Sequence, residues 1–463
     1  MRLRKSFGRA CVSLVVFLWS FSIGAVRGQS TGDWLGQLGD SDSKNRVAAA
    51  MALGALGGTL ESKKVTPALI AAFKKEEDKG VRVALAGALG KMGPAASEAV
   101  PGLIEALEDE KLRYHAALAL GQIGAGANAA IPRLVALLND TDIGHAAARA
   151  LGSMNFEALS ALVEACGAKE AVVRARAAYA LGEIGSKKTE DVGGADSQLT
   201  DAIAALVTGL GDENSNVRYW AAFALGELGA KETSAISSVV ACLNDDDKAV
   251  RSQASRALGK IGDEAVPDLV QALKHEQVRV RQGAARALGE IRAESVKDSV
   301  PALVELLKDD SERVRYEAAL SLKSIGKEAG AATPDLVATL KDEDQSVRNQ
   351  SAQALVAIGA ASVDPLIPVL KDDALRYKAL RILRQLGPAA KPAMAAVTET
   401  LKDRDDKVRY ESVRILMSIG LDAKAAIPEL EKLLQDESER VRDAAKAALE
   451  IIKVEPEKKE KKE

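Results

Sequence analysis

An internal repeat is the feature that most constrains how this sequence can fold. A Leu follows an anchor position by seven residues in thirteen successive copies, spaced about 33 residues apart. The anchor is Arg in every copy except the fourth, where Gly144 stands. Such a long array of one short repeat is typical of architectures that stack a single structural unit many times. The leucines are Leu53, Leu89, Leu120, Leu151, Leu181, Leu225, Leu258, Leu288, Leu322, Leu355, Leu383, Leu416 and Leu449.

Each copy predicts two helices, as the copy around Arg315 illustrates. Residues 300–308 (VPALVELLK) have a short amphipathic pattern with Pro301 in the first turn, where a missing N–H costs nothing. Residues 309–311 (DDS) then end this helix and cap a second one. The second helix is predicted to end at Gly326. Its apolar stripe consists of Val314, Ala318, Leu322 and Ile325.

A helix pair with a single apolar stripe cannot bury that stripe alone, so successive pairs must stack on one another. Aromatic residues make up only 3% of the chain, and its other apolar residues are mainly Ala, Leu, Val and Ile, which suit close helix packing. The sequence therefore predicts an all-α fold, an α-solenoid or superhelix of about thirteen helix pairs over residues 31–454.

The repeat pattern resembles that of a known family. Residues 213–229 (ENSNVRYWAAFALGELG) are similar to HEAT repeats of the phycobilisome-lyase-like subclass, and the resemblance extends over residues 31–454. The resemblance implies helix pairs whose second helices line a concave surface. It also implies a role in scaffolding or partner binding, because repeats of this kind do not by themselves specify a chemistry.

The two ends of the chain differ from the repeats. Residues 1–28 join a basic start to an apolar run, as in an export signal, and carry no carboxylate. We predict a cleaved signal peptide and a periplasmic or secreted protein of an exported bacterial type, with no stable membrane insertion after cleavage. An uncleaved N-terminal membrane anchor is the alternative. Residues 455–463 (EPEKKEKKE) predict a charged, disordered tail.

The charge balance and the cysteines narrow the class of protein further. The formal net charge is -3 with 28% charged residues, which offers no basic surface for nucleic acid. Cys166 and Cys242 lie in apolar helical segments two repeats apart. We expect both to be buried as small hydrophobic residues and to lie too far apart for a disulfide.

The anchor arginines predict a structural ladder. An Arg in the first turn of a helix meets an unfavourable helix dipole, so a carboxylate is expected nearby. Asp78, Asp310 and Asp406, in the turns before their anchors, are the candidates. We interpret the anchors as carboxylate–guanidinium contacts that stiffen the stack, with direct ligand binding as the alternative. The ladder residues are Arg82, Arg113, Arg174, Arg218, Arg251, Arg281, Arg315, Arg348, Arg376, Arg409 and Arg442, and Arg46 fits the same register.

A glycine directly after the repeat Leu predicts close helix packing in the first part of the chain. It occurs at Gly54, Gly90, Gly121, Gly152, Gly182, Gly226, Gly259 and Gly289. The last five copies carry Lys323, Val356, Arg384, Met417 and Glu450 at this position. We therefore expect the two portions of the array to differ in packing or curvature.

Candidate catalytic and metal-binding residues are few. His115 and His145 lie near the starts of second helices in adjacent copies, but the sequence suggests no third ligand for a shared metal ion. Residues 124–129 (GAGANA) follow a helix and not a strand, so they predict an inter-helix turn instead of a dinucleotide loop. We predict that the protein is not an enzyme and has no metal or cofactor.

The aromatic residues are the most informative candidates for a binding site. Tyr219, Trp220 and Phe223 lie within one helical turn and are predicted to form an exposed patch, where Trp and Tyr often dominate binding energy. The alternative is that the rings pack on adjacent helices and fill the stack. Four further tyrosines follow their anchors directly and are grouped with the patch by register as candidate partner-binding residues: Tyr114, Tyr316, Tyr377 and Tyr410.

These observations predict an exported scaffold or adaptor, expected to be a monomer, that binds a protein or peptide on the concave face of its solenoid. The alternative function is a lyase- or chaperone-like protein that acts on a cofactor-bearing protein. The resemblance to lyase-type repeats is the reason to keep this alternative.

Overall fold

The structure is a computed structural model that describes residues 29–187, 196–292 and 294–453, with only the backbone of Asp196. The predicted signal segment 1–28 and the predicted tail 455–463 lie outside these residues. All regular secondary structure in the described part of the chain is helical, and it forms thirteen successive helix pairs. The prediction of an all-α solenoid of about thirteen pairs is therefore confirmed.

The chain divides into two compact units, Met1–Ala230 and Lys231–Glu463. Even-numbered helices are the second helices of their pairs and carry the anchors. The helices of unit 1 are α1 (Thr31–Gln37), α2 (Ser43–Gly54), α3 (Ser62–Lys75), α4 (Lys79–Met92), α5 (Val100–Ala106), α6 (Arg113–Ile123), α7 (Ile131–Ala136), α8 (Gly144–Ser153), α9 (Leu159–Cys166), α10 (Ala171–Ser186), α11 (Asp196–Gly209) and α12 (Ser215–Leu228).

Unit 2 repeats the same arrangement. Its helices are α13 (Thr233–Ala241), α14 (Lys248–Ile261), α15 (Val266–Ala272), α16 (Val278–Glu290), α17 (Val300–Glu305), α18 (Glu312–Ile325), α19 (Thr333–Ala338), α20 (Gln345–Ile358), α21 (Val363–Leu366), α22 (Arg376–Leu386), α23 (Met394–Glu399), α24 (Asp406–Ile419), α25 (Ile427–Lys432) and α26 (Glu439–Ile452).

The first helix of the Arg315 copy is shorter than the sequence pattern predicts. In the copy of Arg315, the α-helix covers Val300–Glu305 and its last turn, Leu306–Lys308, is a 3₁₀ helix. Pro301 lies in the first turn as expected, since that turn needs no N–H donor there. Gly326, with φ of 72°, ends the second helix in a conformation that suits Gly.

Within each unit, the second helices pack side by side and bury the repeat leucines. All thirteen leucines are between 0% and 7% exposed. Neighbouring second helices contact each other directly, as α10 and α12 do in unit 1 and α18 and α20 do in unit 2. The leucine register therefore marks the core of each unit, and one face of every second helix is left free to form a surface.

The anchor arginines join the end of one helix to the start of the next. Arg281 Nη1 donates to the carbonyl oxygens of His275 and Glu276 at 2.8 and 2.9 Å. These carbonyls follow the last turn of the first helix and have no partner within it. Equivalent bonds to the residues six and five positions earlier are made by Arg46, Arg174, Arg218, Arg251, Arg315, Arg348, Arg409 and Arg442.

The same guanidinium groups also reach the next copy. Arg281 donates to both carboxylate oxygens of Asp309 at 2.7 and 3.0 Å, and the backbone carbonyl of Asp309 accepts from Arg315 at 2.8 Å. Arg315 then donates to Asp342 at 2.7 and 3.0 Å. Contacts of 2.6 to 2.9 Å with a carboxylate of the following copy are made by Arg46, Arg113, Arg174, Arg281, Arg315, Arg376 and Arg409.

The paired carboxylates are not those that the sequence suggested. Asp78 caps the backbone of its own helix, and Asp310 offers Arg315 its carbonyl oxygen at 3.3 Å. The carboxylate of Asp406 accepts from Ser438 at 3.1 Å. Stacking brings the acidic residue before the next second helix against these guanidinium groups, and Arg376 pairs in addition with Asp373 of its own turn at 2.7 Å. The sequence showed the periodicity of these residues but not which copies they join.

The fourth copy, which lacks an anchor Arg, borrows one from its neighbour. Arg176 Nη1 donates to the carbonyl oxygens of Leu138 and Asp140 at 2.5 and 2.7 Å. A Cβ atom at Gly144 would lie only 2.0 Å from that nitrogen. Gly144 is therefore required because a side chain there would displace the substitute guanidinium.

The glycines after the repeat Leu allow close contact between second helices. A Cβ atom would lie within 3.0 Å of a heavy atom of the next second helix at Gly54, Gly90, Gly121, Gly152, Gly182, Gly259 and Gly289. Later copies use this position for polar contacts across the stack, as in Lys323 to Gln353 at 2.9 Å and Arg384 to Glu411 at 2.7 Å. The predicted difference in curvature stays a prediction.

Replacing Arg315 by Met should lower the free energy of unfolding by about 3 kcal/mol, because it leaves a nearly buried carboxylate, Asp342, without its partner. Arg315 and Asp342 side chains are 9% and 8% exposed. Arg313→Met is the matched control, since that side chain is 76% exposed, and it should change stability by about 0.5 kcal/mol or less. Urea unfolding followed by circular dichroism measures both, and equal effects would contradict the ladder.

Gly121→Ala should destabilise unit 1 by about 2 kcal/mol, because its Cβ would lie 2.8 Å from the Cα of Ala150, where backbone must move. Gly87→Ala is the control, since no heavy atom lies within 4 Å of its added Cβ. That control should stabilise the helix by about 0.5 to 1 kcal/mol. Thermal unfolding distinguishes the two, and a neutral Gly121→Ala would show that the helices are free to separate.

Candidate partner-binding face

The three aromatic residues singled out from the sequence lie together on α12. The Trp220 ring makes edge-to-face contacts with Tyr219 and Phe223, with centroid distances of 5.0 and 5.4 Å. All three side chains are half-buried. The patch is therefore a packed cluster that keeps part of its ring surface accessible, which combines features of both interpretations that the sequence allowed.

Two further rings extend this cluster across neighbouring second helices. Tyr179 of α10 contacts Trp220 edge to face at 4.8 Å and lies nearly parallel to Phe223 at 6.3 Å. His145 of α8 stacks on Tyr179 at 4.9 Å with an interplanar angle of 23°. We call these five residues, on three successive second helices of unit 1, the aromatic strip.

The members of the aromatic strip differ in how firmly they are held. The Phe223 ring lies 2.5 Å from the place of a Cβ atom at Gly182, so it fills the space that this glycine leaves. Phe223 is therefore mainly a packing residue. Tyr219, Trp220 and Tyr179 are held by ring contacts and keep partly open faces.

Charged groups border the aromatic strip. Burial is the main cause that raises the pKa of Tyr179 to about 12, and the negative charge of Glu183 and a hydrogen bond to Glu183 add to it. Partial burial and then the positive charges of Arg149 and Arg176 lower the pKa of His145. Both rings are therefore neutral at pH 7, and the strip is an uncharged surface with acidic and basic groups at its edge.

The four tyrosines that share the register of Tyr219 lie in different surroundings. Tyr114 is 46% exposed and its ring contacts His115, and Tyr377 is 37% exposed. Tyr316 is half-buried. Tyr410 is also half-buried, and the guanidinium carbon of Arg440 lies 3.7 Å from its ring centroid. A shared register position therefore does not give these side chains a shared environment.

The structure offers no cluster suited to a metal ion among the residues that it describes. Within the three described ranges, no three or more His, Cys, Asp and Glu side chains converge in a way that could hold a metal ion. His115 and His145 each contact a tyrosine ring. Neither Cys166 nor Cys242 forms a disulfide; Cys242 is buried as predicted, whereas Cys166 is only half-buried. Residues 124–130 form a 3₁₀ turn, as predicted.

No helix in the described part of the chain combines the length and the apolar character needed to cross a membrane.

Tyr179, His145 and Arg176 are residues of the site that the sequence alone does not predict. Tyr179 follows its anchor by five residues and His145 by one, while Trp220 follows its anchor by two. These positions meet only because successive second helices are offset when they pack. The sequence does show aromatic residues in three consecutive copies, which could have indicated the site. Which of these rings contact each other can be seen only from the packing of the helices.

Comparison with known families identifies the repeats. The HEAT repeats model matches residues 32–111, 66–144, 236–322, 266–356, 300–374 and 363–450. The chain belongs to the HEAT-repeat family. A second HEAT repeat model matches residues 202–231, and the PBS lyase HEAT-like repeat model matches residues 173–212. No curated protein matches the sequence significantly.

Solved structures with a similar fold include those of Kap95p and of the karyopherin Kap121p. The Kap95p structure described with RanGDP has a TM-score of 0.53 and 15% identity, covering 91% of this chain and 68% of that one. The Kap95:Nup1 complex gives 0.53 and 15%, covering 97% and 71%. The karyopherin Kap121p bound to the extreme C-terminus of the phosphatase Cdc14p gives 0.52 and 16%, covering 90% of this chain but only 53% of that one. At these identities the likeness concerns the fold.

Proposed function

We propose that this HEAT-repeat protein is a non-catalytic scaffold or adaptor that binds a protein or peptide partner on the second-helix face of unit 1. The observation that carries the proposal is the aromatic strip, in which rings from α8, α10 and α12 form one continuous, partly open surface. In the family that the repeats resemble, second helices line the concave surface, so we assign the strip to that face.

The arrangement of the rings favours binding. Tyr and Trp side chains at the centre of an interface commonly supply most of its binding energy. Trp220 is held by edge contacts with three rings, so it loses little freedom when a partner covers it. The neutral strip can cover apolar side chains of a partner, while Glu183 and Arg149 at its edge can pair with polar ones.

The structural neighbours support the same class of function. The matched structures describe Kap121p bound to the C-terminus of a protein and Kap95p in complex with Nup1. Both are helical repeat proteins that bind a protein or peptide partner. We expect this chain to act in the same general way, as a monomer, on a partner of its own.

Trp220→Ala and Tyr219→Ala should each weaken partner binding by about 30-fold, as expected for central residues worth about 2 kcal/mol. The partner is first captured from cell extract on the immobilised protein and identified, and its affinity for each variant is then measured by calorimetry. Tyr114→Ala is the matched control, because Tyr114 shares the register of Tyr219 but lies outside the strip. Affinity unchanged in both strip variants would refute this location.

We further propose that the protein is exported through the basic and apolar segment of residues 1–28. Expression of the full chain in a bacterial host should yield a periplasmic or secreted protein whose N-terminus, by Edman sequencing, lies close to residue 29. A protein that retains Met1 in the membrane fraction would show an uncleaved anchor. A full-length protein in the cytoplasm would refute export.

The alternative of a lyase- or chaperone-like protein rests on the match of residues 173–212 to a PBS lyase HEAT-like repeat. That segment includes Tyr179 of the aromatic strip, so a planar chromophore could occupy the same surface as a peptide. A chromophore that copurifies with the protein, visible in its absorbance spectrum, would favour this function over a scaffold.

A further inference from the structure

A recess in unit 2 lies between α16, α18 and α20. Its volume is about 350 Å³, and Gln282, Glu312, Arg313, Tyr316, Glu317 and Asp344 contribute to its wall together with Ser346. Three of these residues carry carboxylates, and Tyr316 contributes an aromatic ring. This combination is suited to a cation, because carboxylates pair with it and the ring face attracts it.

Glu317 is the buried carboxylate of this recess. The residue is 3% exposed, and its Oε1 accepts from the guanidinium of Arg286 and from Gln282 Nε2, the latter at 3.3 Å. Its Oε2 is buried and has no hydrogen-bond partner. Because Oε2 is closed to solvent, Glu317 favours a cation in the recess through its negative charge and not through a direct hydrogen bond from that atom.

The equivalent position in a later copy shows what fits against such a tyrosine. Tyr410 has the register of Tyr316, and Arg440 of the next copy places its guanidinium carbon 3.7 Å from the Tyr410 ring centroid. Arg440 stands two residues before its anchor. In the copy that follows Tyr316, the residue two before the anchor is Ser346, which lines the recess. Ser346 is too short to cover Tyr316 in this way, so in the described part of the chain the next copy leaves this guanidinium position open.

We propose that the recess at Tyr316 and Glu317 binds an arginine side chain of the protein or peptide partner. The guanidinium stacks on the Tyr316 ring as Arg440 does on Tyr410, and the carboxylate of Glu317 contributes to the wall around it. Glu312 and Asp344 provide the remaining negative charge at the rim, where the exposed side chain of Arg313 lies 4.0 Å from Glu312.

The assignment rests on the proposed function in one respect, namely that the arginine belongs to a macromolecular partner. It does not depend on the aromatic strip of unit 1. The recess can therefore be tested with a small probe and no partner, so that failure here and failure of the Trp220 and Tyr219 experiment are distinguishable.

The probe is Nα-acetyl-L-arginine amide, and its dissociation constant for the full chain is measured by saturation-transfer NMR titration. We expect binding that weakens at least ten-fold when the probe is the neutral isostere Nα-acetyl-citrulline amide. Equal binding of the two probes would overturn the proposal, because the recess would then not recognise positive charge.

Ser346→Arg is the decisive variant, since it supplies the intrachain guanidinium that Arg440 provides in the later copy. It should fold and should weaken probe binding at least ten-fold, and Tyr316→Ala should also weaken it. Tyr410→Ala is the matched control and should leave binding unchanged, because that ring is already covered. Unchanged affinity in Ser346→Arg would refute the site.

Free L-arginine and spermidine serve as control ligands. They test whether the recess prefers the arginine side chain of a peptide or a small cationic metabolite. Neither should bind more tightly than the capped amide, since a peptide presents a guanidinium without nearby α-amino or carboxylate charges. Binding of either that is at least ten-fold tighter than the capped probe would assign the recess to a small molecule and overturn the partner assignment.

Discussion

In copies such as that of Arg281, the guanidinium group of the anchor arginine meets two needs of a stacked helix pair. Carbonyl oxygens after the first helix have no donor within it, and Arg281 supplies one for His275 and Glu276. The same side chain pairs with a carboxylate of the next copy, Asp309, whose own carbonyl accepts from Arg315. The negative charge of that carboxylate also offsets the unfavourable interaction between an Arg at a helix start and the helix dipole. Local helix ends and the contact between copies therefore depend on one side chain, which explains why Arg176 replaces it where Gly144 interrupts the series.

The two units use the surfaces between their second helices differently. In unit 1, the aromatic strip fills space between second helices, as Phe223 does beside Gly182. In unit 2, polar side chains lie between the helices, including Glu317 and the Thr339–Ser351 hydrogen bond of 2.7 Å. Buried polar groups require partners, so unit 2 offers directional, charged contacts. Unit 1, in contrast, has apolar ring surface between its second helices.

Register alone does not decide what a repeat position does. Tyr219, Tyr316 and Tyr410 occupy the same position relative to their anchors. Tyr219 contacts Trp220 of its own helix, Tyr410 is covered by Arg440 of the next copy, and Tyr316 borders an open recess. The difference arises from the residue that the next copy contributes. Variation of that neighbouring residue converts a structural contact into a candidate binding site without altering the repeat.

The sequence by itself determined the helix pairs, their number and the buried leucine register, because these follow from local periodicity, caps and a stripe that must be covered. It also located three members of the aromatic strip, Tyr219, Trp220 and Phe223, since they are neighbours on one helix. Tertiary structure alone decided that Tyr179 and His145 join them and that Arg315 pairs with Asp342 of the following copy. It also decided that the ring of Tyr316 is left open. All of these features depend on residues of different copies. Which side chains meet is determined by the offset between packed helices, and the local sequence does not encode that offset.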